Sequence, residues 1–115
     1  MMSRVPYDEA LADRIRDLLA GDQDVAERRM FGGLAFLVGG HMAVAASGQG
    51  GVMVRIEPAQ TDALVTEPHA GPMEMRGRAL QGWVRVEARG VATTAQLERW
   101  VGRGVAYARS LPPKG

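Results

Sequence analysis

Cysteine is absent from all 115 residues, lysine occurs once, at position 114, and only six residues are aromatic. Without cysteine there is no disulfide, no thiolate nucleophile and no cysteine-based zinc site, so the expected setting is the reducing cytoplasm. An apolar leader core is also missing from the opening "MMSRVPYDEALADR", which excludes a secretory signal of the usual kind. The longest largely apolar stretch, Leu34 to Ala46, is broken by glycines and falls short of the roughly 20 apolar residues that cross a bilayer. No membrane partner is expected. Charge of one sign is scarce too: the net value of +1 supplies no long-range field of the sort that non-specific nucleic-acid binding uses.

What is present has an ordinary globular balance, 46% hydrophobic and 23% charged. A chain of this length forms one domain that buries roughly two-thirds of its unfolded surface. Pro6, Asp8 and Glu9 mark a helix start. Tyr7, Leu11, Ile15, Leu18 and Leu19 then share one face, predicting an amphipathic helix from about residue 7 to Gly21. The period next changes from helical to alternating. Leu34, Phe36 and Val38 oppose Ala35 and Leu37, with turns expected at Gly32-Gly33 and Gly39-Gly40. Met42, Val44 and Ala46 form the return strand, "SGQGG" turns again, and Val52, Val54 and Ile56 alternate with Met53, Arg55 and Glu57. A short strand around Val25 to Met30 precedes this meander. Pro58 opens a short helix through Leu64. "MEMR" and "WVRVEA" read as two strands joined through "GRALQG". Thr93 with Gln96 fits a capping box for a last helix whose apolar face is Leu97, Trp100, Val101, Val105 and Ala108, ending near Leu111. The order excludes a parallel sheet built from strand-helix-strand units. The expected fold class is α+β: a single antiparallel sheet with helices at the N-terminus, in the middle and at the C-terminus.

The stretches "RRMFGGLAFLVGGHMAVA", "GVMVRIEP", "EPHAGPMEMRGRALQGWVRV" and "LERWVGRGVAYARSLP" together resemble the TfoX N-terminal domain family, in order and spacing, over about Tyr7 to Pro112. The resemblance implies a single domain, residues 1–115 with a core of about 7–111, related to the type III secretion chaperone-like architecture. It also implies a link to the TfoX/Sxy regulators of natural competence, which act on transcription together with a cyclic-AMP-responsive activator. Full-length regulators of that kind carry a second, C-terminal domain beyond the matched part.

No catalytic constellation and no metal site are expected. His41 and His69 have no partner at metal-ligand spacing, although Glu67 precedes His69 by two residues. Ser3, Ser47 and Ser110 lack the strand-turn-helix context of a catalytic nucleophile. "SGQGG" does not open a helix and has no lysine-serine or lysine-threonine ending, so neither a phosphate loop nor a dinucleotide site is present. No cofactor is expected.

The candidate binding residues are Arg28, Arg29, Arg55, Arg76, Arg78, Trp83 and Arg85. All basic side chains but Lys114 are arginine, which suits forked, stacked contacts with carboxylate, phosphate or an acidic surface. The competing readings are coding bias and surface ion pairs worth about 0 to 1 kcal/mol each. Trp83 is either core or part of a recognition patch with Arg85 on the same strand face. Met30, Met42, Met53, Met73 and Met75 either fill the core or line an adaptable partner surface. The leading expectation is a non-enzymatic regulatory or protein-interaction module with a protein partner, a homodimer being a further candidate. One alternative is a domain binding a small anionic ligand, or an enzyme acting through Arg55, Arg76 or His69. The other is direct DNA binding; nucleic-acid contact is otherwise expected to be indirect.

Overall fold

Residues 7–30 and 32–113 are described by a computed structural model. Its strands are β1 (Val25–Met30), β2 (Gly33–Val38), β3 (His41–Ala46), β4 (Val52–Arg55), β5 (Ala70–Met75) and β6 (Arg78–Val86). They form one antiparallel sheet in the order β1-β2-β3-β4-β6-β5. The helices are α1 (Glu9–Leu18), α2 (Thr61–Leu64), entered through a 3-10 turn at Pro58–Gln60, and α3 (Thr94–Ser110). The α+β class with terminal and middle helices is as expected.

Local chemistry sets the helix limits. Asp8 caps α1, its carboxylate accepting the Leu11 N–H at 3.1 Å, so the helix begins at Glu9, two residues later than the spacing predicts. It closes at Leu18 because the Leu19 N–H already folds back to both Ile15 and Arg16 carbonyls, the tightening typical of a last turn. Pro6 lies outside the described residues. At α3 the capping box is complete: Thr93 Oγ1 accepts the Gln96 N–H at 3.1 Å, and Gln96 Oε1 accepts the Thr93 N–H at 2.9 Å. The helix stops before Leu111, ahead of Pro112, which cannot continue it.

One face of the sheet is closed by α1 and α3. Phe36, Val44, Val52, Val54, Val84 and Val86 present alternate residues to Leu11, Ile15, Leu97, Trp100 and Val101, and all are buried. Burying each large side chain here contributes about 1.5–3 kcal/mol. α3 lies unusually close to β3 at Gly104, where a Cβ atom would collide with the Ala43 carbonyl oxygen. Glu67, in the loop after α2, ties α3 down further, receiving Arg103 at 2.9 and 3.0 Å and Arg99 at 3.2 Å.

Three local expectations are corrected. Gly39-Gly40 is the predicted turn, with φ of 60° and 86°, but Gly33 belongs to β2 and pairs with Met30. Its Cβ would meet the Ala46 carbonyl oxygen, so glycine there serves close strand packing; the connection spans residues 31–32, and Phe31 lies outside the described residues. Next, "RALQG", Arg78–Gly82, is strand and not a connection. Met75 pairs with Arg78, leaving Arg76-Gly77 as a two-residue turn with φ of 55° and 77°, the left-handed pair of a tight hairpin. Finally, the register of β2 and β3 slips between Phe36 and Leu37, which face Val44 and Met42 respectively. Ala43 is the extra residue of a bulge. Met42 therefore joins a different cluster from Val44 and Ala46.

Candidate functional site

Since alternate residues of a strand face opposite ways, the positions between the core residues build a second face. Ala35, Leu37, Ala45, Met53 and Met73 are its buried floor, with Met30, Met42, Met75, Leu80 and Trp83 partly buried around them. Neither α1 nor α3 contributes to this cluster. Its shielding comes instead from the β5–β6 hairpin. β4 pairs only with Trp83–Val86 of β6, so Arg78–Gly82 runs on past β4, and of these residues Arg78 and Ala79 pair with β5. Between the pairs Pro72–Val84 and Glu74–Ala79 the hairpin has one residue on β5 and four on β6, and Gly82 takes φ of 89°. A mismatch of that size bends the arm. The bend brings Met73, Met75 and Leu80 against Met42 and Met53 of the main sheet, leaving Met53 and Met73 only 6% and 7% exposed. Thr61 pins the base of the arm: its buried hydroxyl accepts the Gly82 N–H at 2.8 Å and donates to the Pro58 carbonyl at 2.8 Å.

Two hollows that share Met53, Met73 and Met75 in their walls remain under and beside the arm. The larger, about 400 Å³, has Ser47, Gln49 and Arg85 on one side and Pro72 to Met75 on the other, with Met53 as floor. The smaller, about 170 Å³, shares Met53, Met73 and Met75 and is completed by Met42, Leu80 and Trp83. Sequence alternation placed Met42, Met53, Met73, Met75, Trp83 and Arg85 on strands, and left Ser47, Gln49, Pro72 and Leu80 in turns and loops. It carried no signal for the curl of the arm, because that depends on the unequal strand lengths and on Gly82.

The seven candidate residues do not converge. Arg28 and Arg29 pair with Ala35 and Leu34, so they point to opposite faces; Arg29 lies 6.0 Å above the Tyr7 ring on the helix side. Arg55 stacks on Tyr107 of α3 at 5.5 Å. Arg76 and Arg78 stand exposed at the hairpin tip. Trp83 and Arg85 share the methionine face, as their spacing predicts, and both are half-buried. Arg85 is separated from Arg28 by three intervening strands, about 19 Å at the usual strand spacing. Among the described residues none of these six arginines lies within ion-pair distance of a carboxylate. The arginines that do are Arg16, Arg99, Arg103 and Arg109.

Elsewhere several titratable groups are held in structural contacts. Arg16 Nε lies 2.6 Å from Glu27 Oε2 and its guanidinium also meets Asp13. The hydrogen bond from Arg16 holds the Glu27 carboxyl below its usual range, against a smaller opposing effect of burial, and Arg16 in turn is held more firmly protonated. His41 Nε2 sits 2.6 Å from the Pro112 carbonyl, so that nitrogen carries the proton. His69 is exposed with φ of 65°. Among the described residues no group of three histidine, aspartate or glutamate side chains is arranged to hold a metal, and no helix is long and apolar enough to cross a membrane.

No curated protein and no solved structure matches this chain. The profile of the TfoX N-terminal domain matches residues 17–108, from the end of α1 through all six strands to the last turn of α3, and the chain therefore belongs to the TfoX N-terminal domain family.

Proposed function

We propose that this domain is a non-enzymatic regulatory module that acts by binding a protein, in transcriptional control of the competence type, and that the partner docks on the methionine face. One observation carries the reading: the sheet has two apolar faces, and among the described residues helices cover only one, the other being shielded by the β5–β6 arm alone. An apolar face rimmed by unpaired arginines is the usual character of an interaction surface, and methionines let it adapt to the partner's shape. Edge-to-edge pairing is the less favoured route. β1 exposes Glu27, Arg28 and Arg29 along its edge, and β5 carries Pro72, both features that blunt strand addition. Direct DNA binding has less support, because the arginines are dispersed and the net charge is +1.

A photo-crosslinking residue at Leu80, compared with one at Glu98 on the outer side of α3, tests this in the native cell. A discrete adduct with a transcription-machinery protein from Leu80 alone is expected. Adducts from Glu98 only, or from neither position, would sink the docking reading; salt-sensitive DNA binding lost in an Arg28→Ala/Arg29→Ala double variant would replace it with direct DNA contact.

A further inference from the structure

The two hollows under the hairpin arm differ in chemistry in a way that protein docking does not use. The smaller is lined by methionine, leucine and tryptophan alone. The larger ends at Arg85 and Ser47. Arg85 has no carboxylate within 4.0 Å among the described residues, and its bonds are long: 3.4 Å from Nη1 to Ser47 Oγ and 3.3 Å from Nη2 to the Gln49 carbonyl. Ser47 is only 4% exposed. Its oxygen accepts from Arg85 and from the Gln49 N–H at 3.1 Å, which leaves the hydroxyl proton to donate. A guanidinium with slack hydrogen bonds and a buried hydroxyl with a donor in hand therefore meet in a hollow that shares Met53, Met73 and Met75 with an apolar recess.

From this pairing we infer that the cleft is a binding site for a small amphiphilic monoanion, a carboxylate with a medium-length hydrocarbon tail. The carboxylate takes the forked contact with Arg85 and the Ser47 proton, and the tail lies over Met53 into the recess closed by Met73 and Leu80. The anion is a monoanion because only one guanidinium serves it, and Glu74 on the opposite wall opposes a second charge. The larger hollow is within the size range of small-molecule pockets, and methionine floors fit tails of differing shape. This inference is independent of the docked partner, since it concerns the purified chain.

The test uses that chain with methionine methyl groups labelled with carbon-13, titrated with octanoate and followed by NMR. The Met42, Met53, Met73 and Met75 methyl signals should shift saturably, while Met30, which lines neither hollow, stays still. Octanol, with the same tail and no charge, should bind at least about tenfold more weakly, and octylammonium more weakly again. Arg85→Gln should weaken octanoate roughly tenfold and leave octanol unchanged; Arg85→Lys, which keeps the charge and loses the fork, should fall between the parent and Arg85→Gln. The order of the three probes on the unaltered chain judges the inference even if a variant fails to fold. Non-saturable drift of all methyl signals, equal binding of octanoate and octylammonium, or full octanoate affinity in a folded Arg85→Gln variant would overturn it. None of these results touches the crosslinking experiment, so the two readings fail separately.

Discussion

The two faces of the sheet are built from the same strands and solved differently. Toward the helices stand valine, phenylalanine and leucine, many with restricted rotamers, locked against Trp100, Leu97 and Ile15. Toward the hairpin arm stand methionine, alanine and one half-buried tryptophan. Arg16, Arg99, Arg103 and Arg109, from the helices, all reach carboxylates; Arg28 and Arg85, on the methionine face, and Arg29 and Arg55, stacked on tyrosines of the helix side, reach none among the described residues. One face therefore has the chemistry of a closed core, and the other that of a surface able to rearrange around something else.

If that contrast is right, the largest stability effect belongs to the helix face. Trp100→Ala removes the largest fully buried side chain and the ring beneath Arg103, at 4.5 Å. It should cost about 3–5 kcal/mol in urea unfolding; a loss below about 1 kcal/mol would mean the helix face is not the core. On the other face, Met53→Leu conserves volume and should cost less than about 1.5 kcal/mol, even though Met53 is nearly as buried. A penalty matching that of Trp100→Ala would erase the distinction between the faces. Removing the cap that starts the covering helix, Thr93→Ala, should cost about 1 kcal/mol, read as a lower unfolding midpoint with an unchanged denaturant slope.

The smallest effect is electrostatic and lies at the β1 edge. Because Arg16 lowers the Glu27 pKa in the folded chain, the pair stabilises the fold wherever the unfolded Glu27 is ionised, above its ordinary value of 4.5. That contribution disappears as pH falls through the lower folded value. The carboxylate and guanidinium are 37% and 45% exposed, so solvent screening keeps the gain small. Comparing acid unfolding of the parent with Glu27→Gln should show the difference shrinking toward zero below pH 4.5. A difference that grows on acidification would contradict the assignment.

Much of the fold was legible because it follows from short-range rules. Alternation through Leu34, Phe36 and Val38, the Gly39-Gly40 turn and the Thr93–Gln96 box each depend on neighbours within a few residues. The hairpin turn was not, because Arg76 adopts a left-handed conformation that arginine seldom takes, and "RG" is a weaker turn signal than asparagine or aspartate before glycine. Met42 was misplaced since a bulge of one residue leaves no mark on hydrophobic spacing. Of the candidate site, Trp83 and Arg85 were correctly placed side by side. Ser47, read only as a turn residue, and Leu80, read as loop, acquire their positions from strands far away in sequence.

By itself the sequence determined the class of the fold, the limits of most elements, the family and the absence of cysteine chemistry, since composition, period and capping act locally. Which arginines meet carboxylates, which face the helices cover and where Ser47 meets Arg85 were decided only in three dimensions. The physical reason is register: strand order, a one-residue bulge and unequal hairpin arms set which side chains share a face, and none of these is encoded by any single stretch of residues.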